Sequence, residues 1–121
     1  MKCDISVGEL LDKISVLRIK KVRIGDEAKL LHVNKELAVL EVLMIDLPGC
    51  EPIIQRLIDV NSELWDAVDA IWKKESIKQF DAEFIELARN IYKLNDQRFE
   101  IKNEANCRYN SELHEQKSYD K

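Results

Sequence analysis

Glycine and proline are scarce in this chain, three and two among 121 residues. Tight chain reversals draw on those residues, so few turns are expected and the elements between them are long. Basic charge is also short: 19 lysines and arginines stand against 23 aspartates and glutamates, a formal net charge of -4. A chain without a basic field is not expected to bind nucleic acid. The local exception, Arg18 to Arg23 (RIKKVR), reads as the wet flank of an amphipathic helix. No long apolar run occurs. The richest segment, Leu37 to Leu47, is interrupted by Glu41 and Asp46 and is too short to span a bilayer, so no membrane contact is expected. The start, MKCDISVGELL, carries no apolar core of the secretory kind. Cys3, Cys50 and Cys107 are odd in number and lack metal-ligand spacing, which fits reduced thiols in a cytoplasmic protein. His32 and His114 are isolated, and each reads as a surface or satisfied histidine. Gly-rich phosphate loops, CxxC, HExxH and GxSxG are all missing, so neither metal nor cofactor is expected and no motif assigns an enzyme class.

What is present is helical periodicity. Phe84, Leu87, Ala88, Ile91 and Leu94 form the clearest apolar stripe, at spacings of three and four residues. Three shorter stripes precede it. Ser6 caps the first, with Glu9 placed to reciprocate, and Val7, Leu10, Leu11, Ile14 and Leu17 share its inner face. Gly25 is placed to close that helix and Asp26 to cap the next, whose inner face holds Val33, Leu37, Leu40 and Met44. Pro48 and Gly49 end it, and Pro52 suits the first turn of the third helix. The expected fold class is all-α: a four-helix antiparallel bundle, or a pair of helical hairpins, with a long C-terminal helix. One domain is expected over residues 1–121, with helices about 6–24, 27–47, 52–74 and 82–108 and a tail over 109–121 in which Ser111 caps a short extra turn. The fourth helix outruns the first. Its overhanging end exposes apolar surface that a homodimer would cover.

The informative residues are polar ones within apolar arcs. Arg18 sits beside Leu11, Ile14 and Val22, Glu41 lies between Leu37, Leu40 and Met44, and Asn61 lies between Leu57, Leu64 and Val68. In the fourth helix Asn95, Arg98 and Lys102 continue the stripe of Phe84. Buried charges need partners, and Glu41 is the natural one for Arg18 or Arg98. These six side chains form either a closed network that sets helix pairing or an inter-helix pocket for a small anion, lined by Arg18, Arg98 and Lys102. Trp65, Trp72 and Tyr92 are candidate interface residues.

Taken in order, the segments ISVGELLDKISVLRIKKVRI, ELAVLE, NSELWDAVDAIW, FIELARNIYKLNDQR and SELHEQKSY resemble a family of small bacterial and phage proteins, domain of unknown function 6165. The likeness covers nearly the whole chain and implies no activity. Its family-like positions are Glu9, Asp12 and Lys13 in the first segment and Glu41 in the second. Asn61, Trp65 and Asp69 belong to the third, and Arg89, Tyr92, Asn95, Asp96, Arg98 and Lys102 follow, with Lys117 and Tyr119 in the tail. Asp12, Lys13, Arg89 and Asp96 lie at helix flanks. A looser likeness to the all-helical chorismate mutases ends at Gly25-Asp26, which interrupts the one long first helix of those enzymes.

The leading expectation is a helical protein–protein interaction or assembly protein, a homodimer with a further protein partner. The rival is a small-anion-binding helical enzyme or sensor. A third reading, a magnesium-dependent nucleotide pyrophosphohydrolase-like enzyme, rests on Asp66, Asp69, Glu83 and Glu86. Such pairs arise readily by chance among 23 acidic residues, and Asp66 and Glu86 lie away from the apolar arcs.

Overall fold

The computed structural model describes residues 1–117. Four helices occur, α1 (Val7–Arg23), α2 (Glu27–Glu41), α3 (Glu51–Ser76) and α4 (Ala82–Arg108), with a 3-10 segment over Val42–Asp46 and no strand among the described residues. The protein is an all-α, four-helix fold. At 27 residues α4 is about 40 Å long.

Local chemistry sets most helix ends. Ser6 is extended and its hydroxyl accepts from the Glu9 N–H at 3.0 Å, as expected. Glu9 does not complete the capping box by side-chain reciprocation; its carboxylate lies 2.8 Å from Lys102 Nζ. Gly25 is not a left-handed cap either. Helix α1 closes on Ile24, whose extended backbone feeds Asp26, and Asp26 accepts from the Lys29 N–H at 3.0 Å to start α2. The one glycine with positive φ among the described residues is Gly49, at 76°. An added Cβ there would lie 2.7 Å from the Arg108 guanidinium, so turn and packing both favour glycine.

Helix α2 is shorter than its apolar pattern suggests. It tightens into the 3-10 segment at Val42, and three residues per turn bring Leu47 to the core while Val42, Leu43 and Ile45 remain exposed.

Asp81 caps α4, accepting from the Phe84 N–H at 2.9 Å and from Gln79 at 2.6 Å, with Lys74 Nζ 3.1 Å away. Those three contacts hold its carboxyl at about 2, with the backbone bond to Phe84 the largest cause. The cap therefore contributes fully above the ordinary aspartate value of about 3.9 and is lost as pH falls through about 2. Protection of the Phe84 amide, its exchange measured against the intrinsic rate at each pH, is expected to fall across that interval in wild type but to be low throughout in Asp81→Ala. Equal protection in the two proteins at neutral pH would contradict the cap.

Helix α1, rather than α4, is the centre of the packing. It alone meets all three other helices, whereas α2 meets no helix but α1. Leu11 and Ile14 of α1 are fully buried against Ile54 and Leu57 of α3, with Val33 and Leu37 of α2 and Leu94, Ile101 and Ala105 of α4 closing the core. Helices α3 and α4 run antiparallel, as the pairs Arg56–Glu104 and Lys74–Glu83 at opposite ends require. Beyond α1 they pack only on each other. No residue from 68 to 93 is buried, and Val68, Trp72, Ile77, Phe80, Ile85 and Tyr92 are all exposed. The stripe of Phe84, Leu87 and Ile91 is half-buried and Ala88 is exposed, because the 17-residue α1 ends before reaching them.

Candidate functional site

The polar residues inside the fold gather around Asp12, which is 2% exposed. Arg98 reaches it from α4 with two parallel donations, Nε to Oδ1 at 2.8 Å and Nη2 to Oδ2. Asn61 of α3 donates one amide hydrogen to Asp12 Oδ1 at 2.9 Å and the other to Ser15 Oγ at 2.9 Å. Ser15 Oγ in turn donates to the Asp12 carbonyl at 2.6 Å. Three helices thus converge on one carboxylate. The bidentate contact with Asp12 keeps the Arg98 guanidinium above its ordinary value, more than offsetting its burial.

One turn away along α4, Lys102 is 7% exposed, and its ammonium lies 2.8 Å from both Glu9 and Glu115. Burial alone would lower its pKa, but the two carboxylates raise it further, so it stays charged. Asn106, 1% exposed, accepts the Gly8 N–H at 2.7 Å. Ser111 accepts the Val7 N–H at 3.1 Å and donates to the Leu113 carbonyl at 2.8 Å. Orphan donors of the α1 N-terminus are therefore met from the far end of the chain. Ser111, expected to start an extra turn, caps α1 instead because the tail folds back beside it. The tail continues along α4, where Lys117 Nζ donates to Asp96 at 3.1 Å and stands 5.2 Å from the Phe99 ring centre.

The six residues singled out from sequence do not form one site. Arg98 and Asn61 meet at Asp12. Lys102 has its own carboxylates. Arg18 faces elsewhere, in a bidentate pair with Glu51 at 2.8 and 3.0 Å and with Glu41 at 3.5 Å. Glu41 thus touches Arg18 but is not the partner of Arg98. Asn95 is exposed, and its carbonyl accepts from Lys117 Nζ at 3.4 Å. Two buried members, Ser15 and Asn106, were missed in the sequence, although spacing carries a signal for each: Ser15 is four residues after Leu11, and Asn106 is four after Lys102. Asp12 gave no such signal, because it lies at the edge of the α1 apolar arc. Tyr119 lies outside the described residues.

Asn61 and Arg98 also border an open groove of about 430 Å³ between α1, α3 and α4, with Val16, Ile19, Leu64, Trp65, Val68 and Ile91 as its apolar wall and Asn95 and Asp69 at its edge. Trp65 is half-buried beneath the Arg23 guanidinium, 5.4 Å from the ring centre, and Arg23 is tied to Asp66 at 2.6 Å. Trp72 and Tyr92 lie outside, 68% and 55% exposed.

Among the described residues no three His, Cys, Asp or Glu side chains converge on a metal position. Of the acidic residues weighed for magnesium, Asp66 pairs with Arg23, Glu83 with Lys74 and Glu86 with Arg89. Cys3, Cys50 and Cys107 are free thiols, and burial pushes the Cys50 thiol up. No helix of the described residues is long and apolar enough to cross a membrane.

A family model described as "Family of unknown function (DUF6165)" matches residues 1–121. No curated protein and no solved structure matches.

Proposed function

We propose that this chain, which belongs to the DUF6165 family of unknown function, is a non-enzymatic helical assembly protein, a homodimer in the cytoplasm that engages a further protein. The observation that carries this reading is the unburied run over residues 68–93, two helices whose apolar side chains have no third element to cover them. Two helices alone bury too little surface to be stable in water, and exposed apolar patches of this kind mark interaction surfaces. Helix α2 supplies a second surface. Val33 and Leu37 go into the core while Leu31 and Val39 stay outside, joined by Val42 and Ile45 of the 3-10 segment. Exposed apolar side chains grouped in this way suit contact with another protein.

The small-anion alternative has less support. Arg18, Arg98 and Lys102 would each have to leave a carboxylate already in contact, and they do not share one cavity. Multi-angle light scattering tests the assembly reading. The expected mass is twice the 14.1 kDa of one chain, and Trp72→Glu with Ile85→Glu should return it to one chain with helicity intact. A wild-type mass of one chain at every concentration removes the homodimer.

A further inference from the structure

We infer that the groove between α1, α3 and α4 is a binding site for a small uncharged molecule, an apolar ring bearing a carboxamide or lactam edge. The edge meets Asn61 and Arg98, and the ring lies against Leu64, Trp65 and Ile91. The site needs no second copy of the chain.

The polar edge follows from how Asp12 engages its neighbours. Asn61 directs both amide hydrogens into the fold, to Asp12 and to Ser15, each at 2.9 Å. An ionised carboxylate only accepts, so the nitrogen of the amide faces Asp12 and the oxygen faces away. Asn61 Oδ1 has no hydrogen-bond partner of its own, and among the described residues no buried side-chain oxygen or nitrogen is left without one. Asn61 is only 7% exposed, so its Oδ1 opens on the groove that the residue borders. Arg98 is arranged likewise. Its Nε and Nη2 donate to Asp12, whereas Nη1 donates to nothing among the described residues and a third of the side chain is open. Asn61 Nδ2 and Arg98 Nε donate to the same oxygen, Asp12 Oδ1, which holds the free acceptor and the free donor side by side.

That pair selects the ligand. An amide supplies an N–H to Asn61 Oδ1 and a carbonyl to Arg98. A carboxylate brings no hydrogen to Asn61, and its charge gains little. Asp12 already offsets the guanidinium, and Asp69 adds a negative charge at the groove's edge. The remaining wall is apolar, and a volume of about 430 Å³ suits a molecule of one or two rings. Small-molecule sites combine such walls with a few convergent polar groups.

Benzamide is the probe, titrated into isotope-labelled protein and followed at the indole N–H signals of the two tryptophans, with Trp72→Phe telling them apart. It is expected to shift Trp65 saturably and to bind about tenfold or more tighter than benzoate or toluene, which leave Asn61 Oδ1 unmet. Val68→Phe narrows the groove from an exposed position outside the Asp12 cluster. It should weaken benzamide by a similar factor with circular dichroism unchanged. Benzoate binding as tightly as benzamide would make this an anion site, and toluene binding as tightly would leave the polar edge without a role. Either result overturns the assignment, as does a shift at Trp72 alone, a titration that never saturates, or a Val68→Phe protein that binds like wild type.

Discussion

Replacing Asp12 by alanine is expected to cost about 3 kcal/mol of folding stability, the lower end of what removing one partner of a buried ion pair costs. The carboxylate is 2% exposed and accepts from Arg98 through two nitrogens and from Asn61 through one. In its absence a guanidinium is left facing a protein interior. The lower end applies because Arg98 keeps 31% of its side chain in solvent and recovers some hydration. Asn61 retains its bond to Ser15, which limits the loss on α3. Asp12→Asn keeps the shape and one acceptor but not the charge, and should fall between wild type and alanine. Urea denaturation followed by circular dichroism measures the difference, with an unchanged m-value showing that the unfolded state is the same. A loss below about 1 kcal/mol, the size of an exposed pair, would mean that the three helices are not anchored at this carboxylate.

Gly8→Ala is the second large effect, and its sign runs against helix propensity. Alanine in a helix interior is worth about 1 kcal/mol over glycine, so a surface position would be stabilised. At Gly8 an added Cβ would lie 2.3 Å from the Lys102 carbonyl oxygen and 3.0 Å from Asn106 Oδ1. The first atom is backbone of α4 and has no rotamer to move into. Helices α1 and α4 must separate at this end, and the Gly8 N–H bond to Asn106 at 2.7 Å and the Lys102 pair with Glu9 at 2.8 Å stretch with them. Overpacking typically costs 1–3 kcal/mol and more when backbone must shift, so a net loss of about 2 kcal/mol is expected after the propensity gain. Thermal unfolding of Gly8→Ala reads the net loss, and Gly25→Ala, outside the helices and with nothing within 4 Å of its added Cβ, should leave the midpoint little changed. If Gly8→Ala proves as stable as wild type, the close approach of α1 to α4 is not as described.

The two substitutions also mark how far the chain was legible. Gly8 reads from sequence as an ordinary residue in the first turn of a helix, since the atom it would strike lies 94 positions away. Asp12 reads as a flank residue of the first apolar arc, and becomes the centre of the polar cluster only when α4 presents Arg98 to that side of α1. The series Asn95, Arg98, Lys102 was visible because helical spacing lines it up on one face. Its partners were not, since a wheel shows which residues share a face but not which helix that face meets.

The chain's own pattern determined the helical class and the starts of three helices at Ser6, Asp26 and Asp81, because caps and 3.6-residue periodicity are local chemistry. It also determined that polar groups would be carried inward and would need partners. Tertiary structure alone decided the pairings: Arg98 with Asp12, Arg18 with Glu51, and Lys102 between Glu9 and Glu115. It also decided that Phe84 and Ile91, alike in pattern to a core stripe, are only half-buried and that Ala88 is exposed. Periodicity reports how apolar a face is, whereas burial depends on whether another helix is long enough to reach it, and α1 is not.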